Sequence, residues 1–207
     1  WDLSVSSSES DFAVTCTAGQ LALRRVAVER SRGAVDASVG CSLIIDRSRL
    51  RDNSRAALRM DTNVRYLVVN SLIAGNGAGF SVVERSSMID LVIDLASALR
   101  GNRFAYNTVV QNQGGVVCRP GQVLSTSILT SPQGGRVVPD PSCAVESCFT
   151  GADSAPQLDS QFRLTENSTG CIDQAGAGAM DKDAPTDYLG TPRPQRRGAD
   201  IGFHELR

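Results

Sequence analysis

Ser71-Leu72-Ile73-Ala74-Gly75-Asn76 decides the fold, because four other stretches of the chain match it in kind. Upstream stand Arg25-Val26-Ala27-Val28-Glu29-Arg30 and Ser48-Arg49-Leu50-Arg51-Asp52-Asn53. Downstream stand Asn107-Thr108-Val109-Val110-Gln111-Asn112 and Thr126-Ser127-Ile128-Leu129-Thr130-Ser131. Their last residues are separated by 23, 23, 36 and 19 residues. Stacked, the copies give one apolar column, Ala27, Leu50, Ile73, Val109 and Ile128. Two positions earlier stand Arg25, Ser48, Ser71, Asn107 and Thr126, and the last column holds Asn53, Asn76 and Asn112. The fourth copy admits a register shifted by one residue, with Asn70-Ser71 against Asn107-Thr108.

A period near 23 residues, built of short strands and polar turns, predicts a solenoid in which each coil buries its apolar residue over the like residue of the next. Asparagines stacked in a turn can hydrogen-bond from coil to coil. A leucine-rich repeat shares the period but needs several Leu per copy, and these copies lack them; unrelated strands of a β-sandwich are the other reading. The expected fold is therefore all-β, a right-handed parallel β-helix over residues 1–161 with regular coils from about Leu21 to Ser131. An irregular C-terminal cap is expected over 162–207. In the 36-residue interval, Ile89, Leu91, Ile93 and Leu95 alternate as a strand does, while Met88, Val92, Leu95 and Leu99 fit a helix. The strand is favoured.

Composition agrees. Of 207 residues 41% are hydrophobic and 21% charged, which excludes a wholly disordered chain. Sixteen Asp against six Glu, with 19 Gly and 8 Pro, favour turns over helices. A net charge of −1 argues against a nucleic-acid partner. No run of 18 apolar residues predicts a membrane-spanning helix. The basic residues are 20 Arg and one Lys, Lys182, and aromatics are only 5%, too few for a sugar-binding surface rich in flat rings.

From Phe162 the pattern changes to loops. Cys171-Ile172-Asp173-Gln174-Ala175-Gly176 is followed by Asp187-Tyr188-Leu189-Gly190-Thr191-Pro192-Arg193, and then by Asp200-Ile201-Gly202-Phe203-His204-Glu205. These three motifs in order resemble the close of bacterial surface proteins with a choice-of-anchor Q domain, in the pectate-lyase-like group of parallel β-helices. The match rests on Ile172, Asp173, Asp187, Gly190, Arg193, Asp200, Ile201, Gly202 and Glu205. It departs at Thr169-Gly170-Cys171, where the family has Pro-Ala, and at Phe203-His204, where it has Ala-Tyr. The resemblance implies export from a bacterium to the cell surface or beyond, and no settled reaction.

The chain opens on Trp1, so a leader removed or a longer parent polypeptide is expected. The six cysteines, Cys16, Cys41, Cys118, Cys143, Cys148 and Cys171, form no CxxC pair, which disfavours a zinc site. In an exported protein they predict disulfides. Cys16–Cys41, Cys118–Cys143 and Cys148–Cys171 are 25, 25 and 23 residues apart, close to one repeat, and are expected to bridge neighbouring rungs. A Cys143–Cys148 bridge, which leaves Cys118 and Cys171 to pair or stay free, is the main rival, and reduced cysteines packed as small hydrophobes are the alternative in a protein that stays in the cytosol.

Candidate sites are few. Arg47, Arg49 and Arg51 alternate as if on one strand face, with Arg24 one repeat earlier: a patch for anionic glycans, or a solvated outer face. Asp181, Asp183 and Asp187 could hold calcium, although their loop lacks the Gly and distant Glu of an EF-hand. Asp90 and Asp94 are the best carboxylate pair for acid–base work on a polysaccharide, with surface turns as the ordinary alternative. His204 is the only histidine, and it reads as structural. Asp173, Asp187, Gly190, Arg193, Asp200, Gly202 and Glu205 read as the framework of the tail. The expected function is a non-catalytic scaffold or glycan- or partner-binding module that needs no cofactor, with calcium the one candidate. Its partners would be acidic polysaccharide or other surface proteins; a polysaccharide lyase or glycoside hydrolase is the rival.

Overall fold

The computed structural model describes residues 3–6, 10–61, 64–77, 91–95, 102–112, 115–118, 123–130, 144–146, 156–175, 184–195 and 198–206, with the backbone alone for 91–95 and 115–118. Among them there is no helix. The strands are β1 (Leu3–Val5), β2 (Val14–Cys16), β3 (Gly19–Arg24), β4 (Val26–Glu29), β5 (Val35–Ala37), β6 (Cys41–Asp46), β7 (Arg49–Arg51), β8 (Leu58–Met60) and β9 (Arg65–Val69). They continue with β10 (Leu72–Ala74), β11 (Leu91–Leu95), β12 (Arg103–Ala105), β13 (Thr108–Val110), β14 (Gly115–Cys118), β15 (Val123–Ser125), β16 (Ile128–Leu129) and β17 (Ala144–Glu146).

Three parallel sheets result. Sheet A runs β1-β4-β7-β10-β13-β16, sheet B β2-β5-β8-β11-β14, and sheet C β3-β6-β9-β12-β15-β17. After β1 the chain visits B, C and A in turn five times, so each coil is one B–C–A circuit of a β-solenoid. The long interval between β10 and β13 contributes β11 as a strand, the sheet B strand of the fourth coil, as its alternation predicted.

The coils stack on a shared core. Val28, Leu50, Ile73, Val109 and Leu129 form one column of sheet A, each no more than 1% exposed. Leu23, Ile45, Val68, Phe104 and Leu124 form the facing column of sheet C. The predicted column is correct at Leu50, Ile73 and Val109 and one residue out at each end. Ala27 pairs with Arg49 on the outer face, and Ile128 with Thr108. The polar column shifts likewise: Val26 and Ser127, not Arg25 and Thr126, align with Ser48, Ser71 and Asn107.

Two sharp corners flank sheet A, each made by one residue in the left-handed region. Before sheet A these are Arg25, Arg47, Asn70, Tyr106 and Thr126; after it, Arg30, Asp52, Gly75 and Gln111. Each corner turns backbone groups away from regular pairing, and side-chain ladders on the next residue satisfy them. The amides of Val26, Ser48, Ser71 and Asn107 donate to Ser48 Oγ, Ser71 Oγ, Asn107 Oδ1 and Ser127 Oγ. Past sheet A, the amides of Ser31, Asn53 and Asn76 donate to Oδ1 of Asn53, Asn76 and Asn112 at 2.9, 3.1 and 2.9 Å. The Nδ2 groups of these asparagines donate to the carbonyls of Val28, Leu50 and Ile73. The predicted asparagine column is thus a continuous hydrogen-bonded ladder.

The tail is irregular, with two isolated antiparallel bridges, Leu158 with Leu164 and Thr186 with Pro192. It packs along the side of the solenoid. Leu72, Ala74, Val110 and Ile128 on the outer face of sheet A, with Val69, Ala105 and Tyr106 beside them, form a second core with Leu164, Cys171, Ala175, Ala184, Ala199, Ile201 and Phe203. Sheet A is buried on both faces there, which is why β10 and β13 show no alternation of burial.

Candidate functional site: the seam between tail and solenoid

Four charged side chains of the tail, Asp187, Arg193, Asp200 and Glu205, meet in one buried network, with Asp173 at its edge. Asp187 Oδ1 accepts the amides of Leu189 and Thr191, and Oδ2 accepts that of Glu205. Asp200 accepts the amides of Asp173 and Leu206 at 2.8 and 2.7 Å. Glu205 accepts the amides of Gln195 and Asp200 and pairs with Arg193 Nη1 at 3.0 Å. Asp173, itself at a left-handed φ, accepts the amide of Gly198. Loops without regular pairing must find partners for their N–H groups, and the short carboxylates supply them.

Arg193 ties this network to the coils. Its guanidinium donates to the carbonyls of Asp200 and Gly202, reaches Asn70 Oδ1 at 3.5 Å, and lies over the Tyr106 ring at 4.4 Å. Asn70 and Tyr106 are left-handed corner residues of consecutive coils, so one arginine reads two rungs. Gly202 completes the junction. Its amide donates to Thr126 O, its φ is +95°, and a Cβ there would fall 2.7 Å from Ile128 Cδ1.

Electrostatics follow from burial. Desolvation pushes Glu205 and Asp200 up, Arg193 down and His204 down. Arginine starts so high that it stays charged. Both members of the Arg193–Glu205 pair are pushed toward neutrality, so desolvation outweighs their attraction, as is common for buried pairs. His204 Nδ1 is buried without a hydrogen-bond partner, and its ring lies 6.0 Å from that of Tyr188.

The arginine candidates do not form one free cationic face. Arg49 and Arg51 flank Leu50 and share the outer face of sheet A. Arg47 sits in a left-handed corner instead of the strand, and pairs with Asp46 at 3.1 Å. Arg24 lies in register with Asp46, because Arg25 takes the corner equivalent to Arg47. Arg51 bonds Asp52 at 2.8 Å, and Arg49 lies 3.7 Å from Glu29.

Asp181 and Asp183 lie outside the described residues, as does Asp90. Asp94 stands in register with Arg59, which itself grips Asp36 through two 2.8 Å bonds. Asp187 is fully buried with both oxygens on backbone amides, a structural task. Among the described residues no group of three His, Cys, Asp or Glu side chains is placed to hold a metal ion.

Of the cysteine pairs, Cys16–Cys41 is formed, with 5.9 Å between Cα atoms. It runs from β2 across the sheet B–C corner to β6 of the next coil, rather than between stacked neighbours. Cys171 is a free thiol, so the expected Cys148–Cys171 bridge is not formed; burial in the second core pushes it up to about 12. Cys143 and Cys148 lie outside the described residues.

Sequence reasoning missed the points at which the tail attaches to the coils, Asn70, Tyr106 and Thr126. A signal existed: Leu72-Ile73-Ala74 and Thr108-Val109-Val110 lack the polar alternation of Arg49-Leu50-Arg51, which marks the coils covered on both sides. No protein-family model, curated protein or solved structure matches this chain.

Proposed function

We propose that the chain is an exported bacterial β-helix module that serves as a non-catalytic scaffold or binding surface at the outside of the cell. One observation carries this reading: the clustered carboxylates Asp187, Asp200 and Glu205 are spent on backbone amides and Arg193, at an interior junction. General acid–base work on a sugar needs two carboxyls facing a cleft, and this cluster faces the fold. The Cys16–Cys41 bridge supports an oxidising compartment, and the three tail motifs support the surface-protein resemblance. Acidic polysaccharide and other surface proteins are the proposed partners, with the paired arginines of sheet A as a contact face. The test incubates the full chain with uronate-containing polymers, with and without calcium. Product absorbance and reducing ends are followed in solution, and retention is measured on a glycan array. Binding or inertness without turnover fits the module. Turnover that survives purification, and that Asp94→Asn abolishes, would establish the rival enzyme.

A further inference from the structure

The N-terminal face of the solenoid is unfinished in a specific way. β1 adds a strand to sheet A one rung beyond the first full coil, paired as Leu3 with Val26, Ser4 with Ala27 and Val5 with Val28. On that rung, among the described residues, sheets B and C have nothing: β2 and β3 are edge strands. In all five coils one or two residues separate the end of a sheet C strand from the start of the sheet A strand, as between Arg24 and Val26 and between Asp46 and Arg49. β1 is therefore the closing strand of a further circuit, and the strand completing that circuit would land on β3.

The edge of β3 suits such an arrival. The Gly19 and Arg25 amides donate toward the next coil. Alternation along the strand therefore aims the N–H and C=O of Gln20, Ala22 and Arg24 at the open side. From Gly19 to Leu23 the edge has no charge and no proline, the usual devices that keep an edge from pairing. Beneath it, Val5, Ala13, Val14 and Leu21 are only partly buried against the core, and Leu3 is 56% exposed. The Cys16–Cys41 bridge pins this outermost coil at the corner between its open strands. Arg24, in register with Asp46 below, offers its charge to an acidic residue above.

We propose that this face is a docking template for one more parallel β-coil, delivered by polypeptide immediately N-terminal to β1, with an acidic residue opposite Arg24. The occupant follows from β1, which is already that coil's third strand. A second copy of the chain would have to bring its own strands past β1.

The test attaches a surrogate coil. Residues 33–47 of this chain carry a B and a C strand, and joining a copy of them directly to Leu3 in place of residues 1–2 preserves the register, since Leu3 occupies the position of Ser48. Cys41 of the copy is replaced by serine. Hydrogen exchange is then read at Gln20, Ala22 and Arg24. The template predicts exchange at least about 100-fold slower than in the 207-residue chain, as for amides that enter a stable ladder. Ala22→Pro removes one donor on the open side only. It should leave the melting of the 207-residue chain within a few degrees and abolish the protection in the extended one. Unchanged exchange with a protease-sensitive extension would overturn the proposal. So would protection in the 207-residue chain that rises with concentration, which would make a second copy the occupant.

Discussion

Arg193 and Glu205, 3% and 1% exposed, are held in place by groups that neither could lose singly. Removing one partner of a buried pair strands the other, so Arg193→Ala should lower stability by about 3–5 kcal/mol in urea denaturation. Arg193→Met with Glu205→Leu should lose far less, since the desolvation of both charges disappears with them. The buried titratable groups set the pH response. Glu205 and Asp200 have folded values raised by burial, so their contribution is greatest below the unfolded carboxylate range and is lost as pH rises through the raised values. His204 is lowered by burial, so its contribution is complete above about pH 6.5 and declines as pH falls toward the folded value. Acidification from neutrality should thus first lower the melting temperature through His204, and His204→Gln should remove that first decline. Gly202→Ala should loosen the tail alone, because the new methyl meets Ile128 and Thr108.

Single coils are specified by a handful of positions, and these account for what could be read in the sequence. Asn53, Asn76 and Asn112 were legible as a column because a polar residue recurring at the same place in a coil has a reason to be there. Asn76→Ala would orphan the amide of Asn53 and the carbonyl of Leu50, and should cost about 2–4 kcal/mol. The ends of the apolar column were not legible. Ala27 and Val28 are both apolar, as are Ile128 and Leu129, while Thr126 and Ser127 both carry hydroxyls, so adjacent registers score alike. The ambiguity at Ile128 is itself physical, since that side chain packs beneath the tail. Backbone strain at the corners was equally hidden, because apart from Asn70 and Gly75 the left-handed corner positions carry Arg, Asp, Tyr, Gln and Thr, where glycine would have announced a turn. A β-branched residue is the most strained of these. Thr126→Gly, at φ +48°, should therefore raise stability by up to about 1 kcal/mol, read as a small rise in melting temperature.

The whole molecule is a stack of coils, with the tail bound along one side and a disulfide at one end. Cys16–Cys41 closes 25 residues, and its reduction should cost about 3 kcal/mol, with fraying confined to the first two coils. Deleting residues after Asp187 removes Ala199, Ile201 and Phe203 from the second core and bares Leu72, Ala74, Val110 and Ile128. Concentration-dependent aggregation by light scattering is the expected outcome. The central claim, that the copies are successive coils in one register, is most directly tested by hydrogen exchange at the side-chain amides of Asn53, Asn76 and Asn112. In the ladder each Nδ2 is buried and bonded to a carbonyl of the preceding coil, so all three should exchange slowly and lose protection together on unfolding. Exchange at the rate of free asparagine, at any one of the three in the folded protein, would contradict the stacked register.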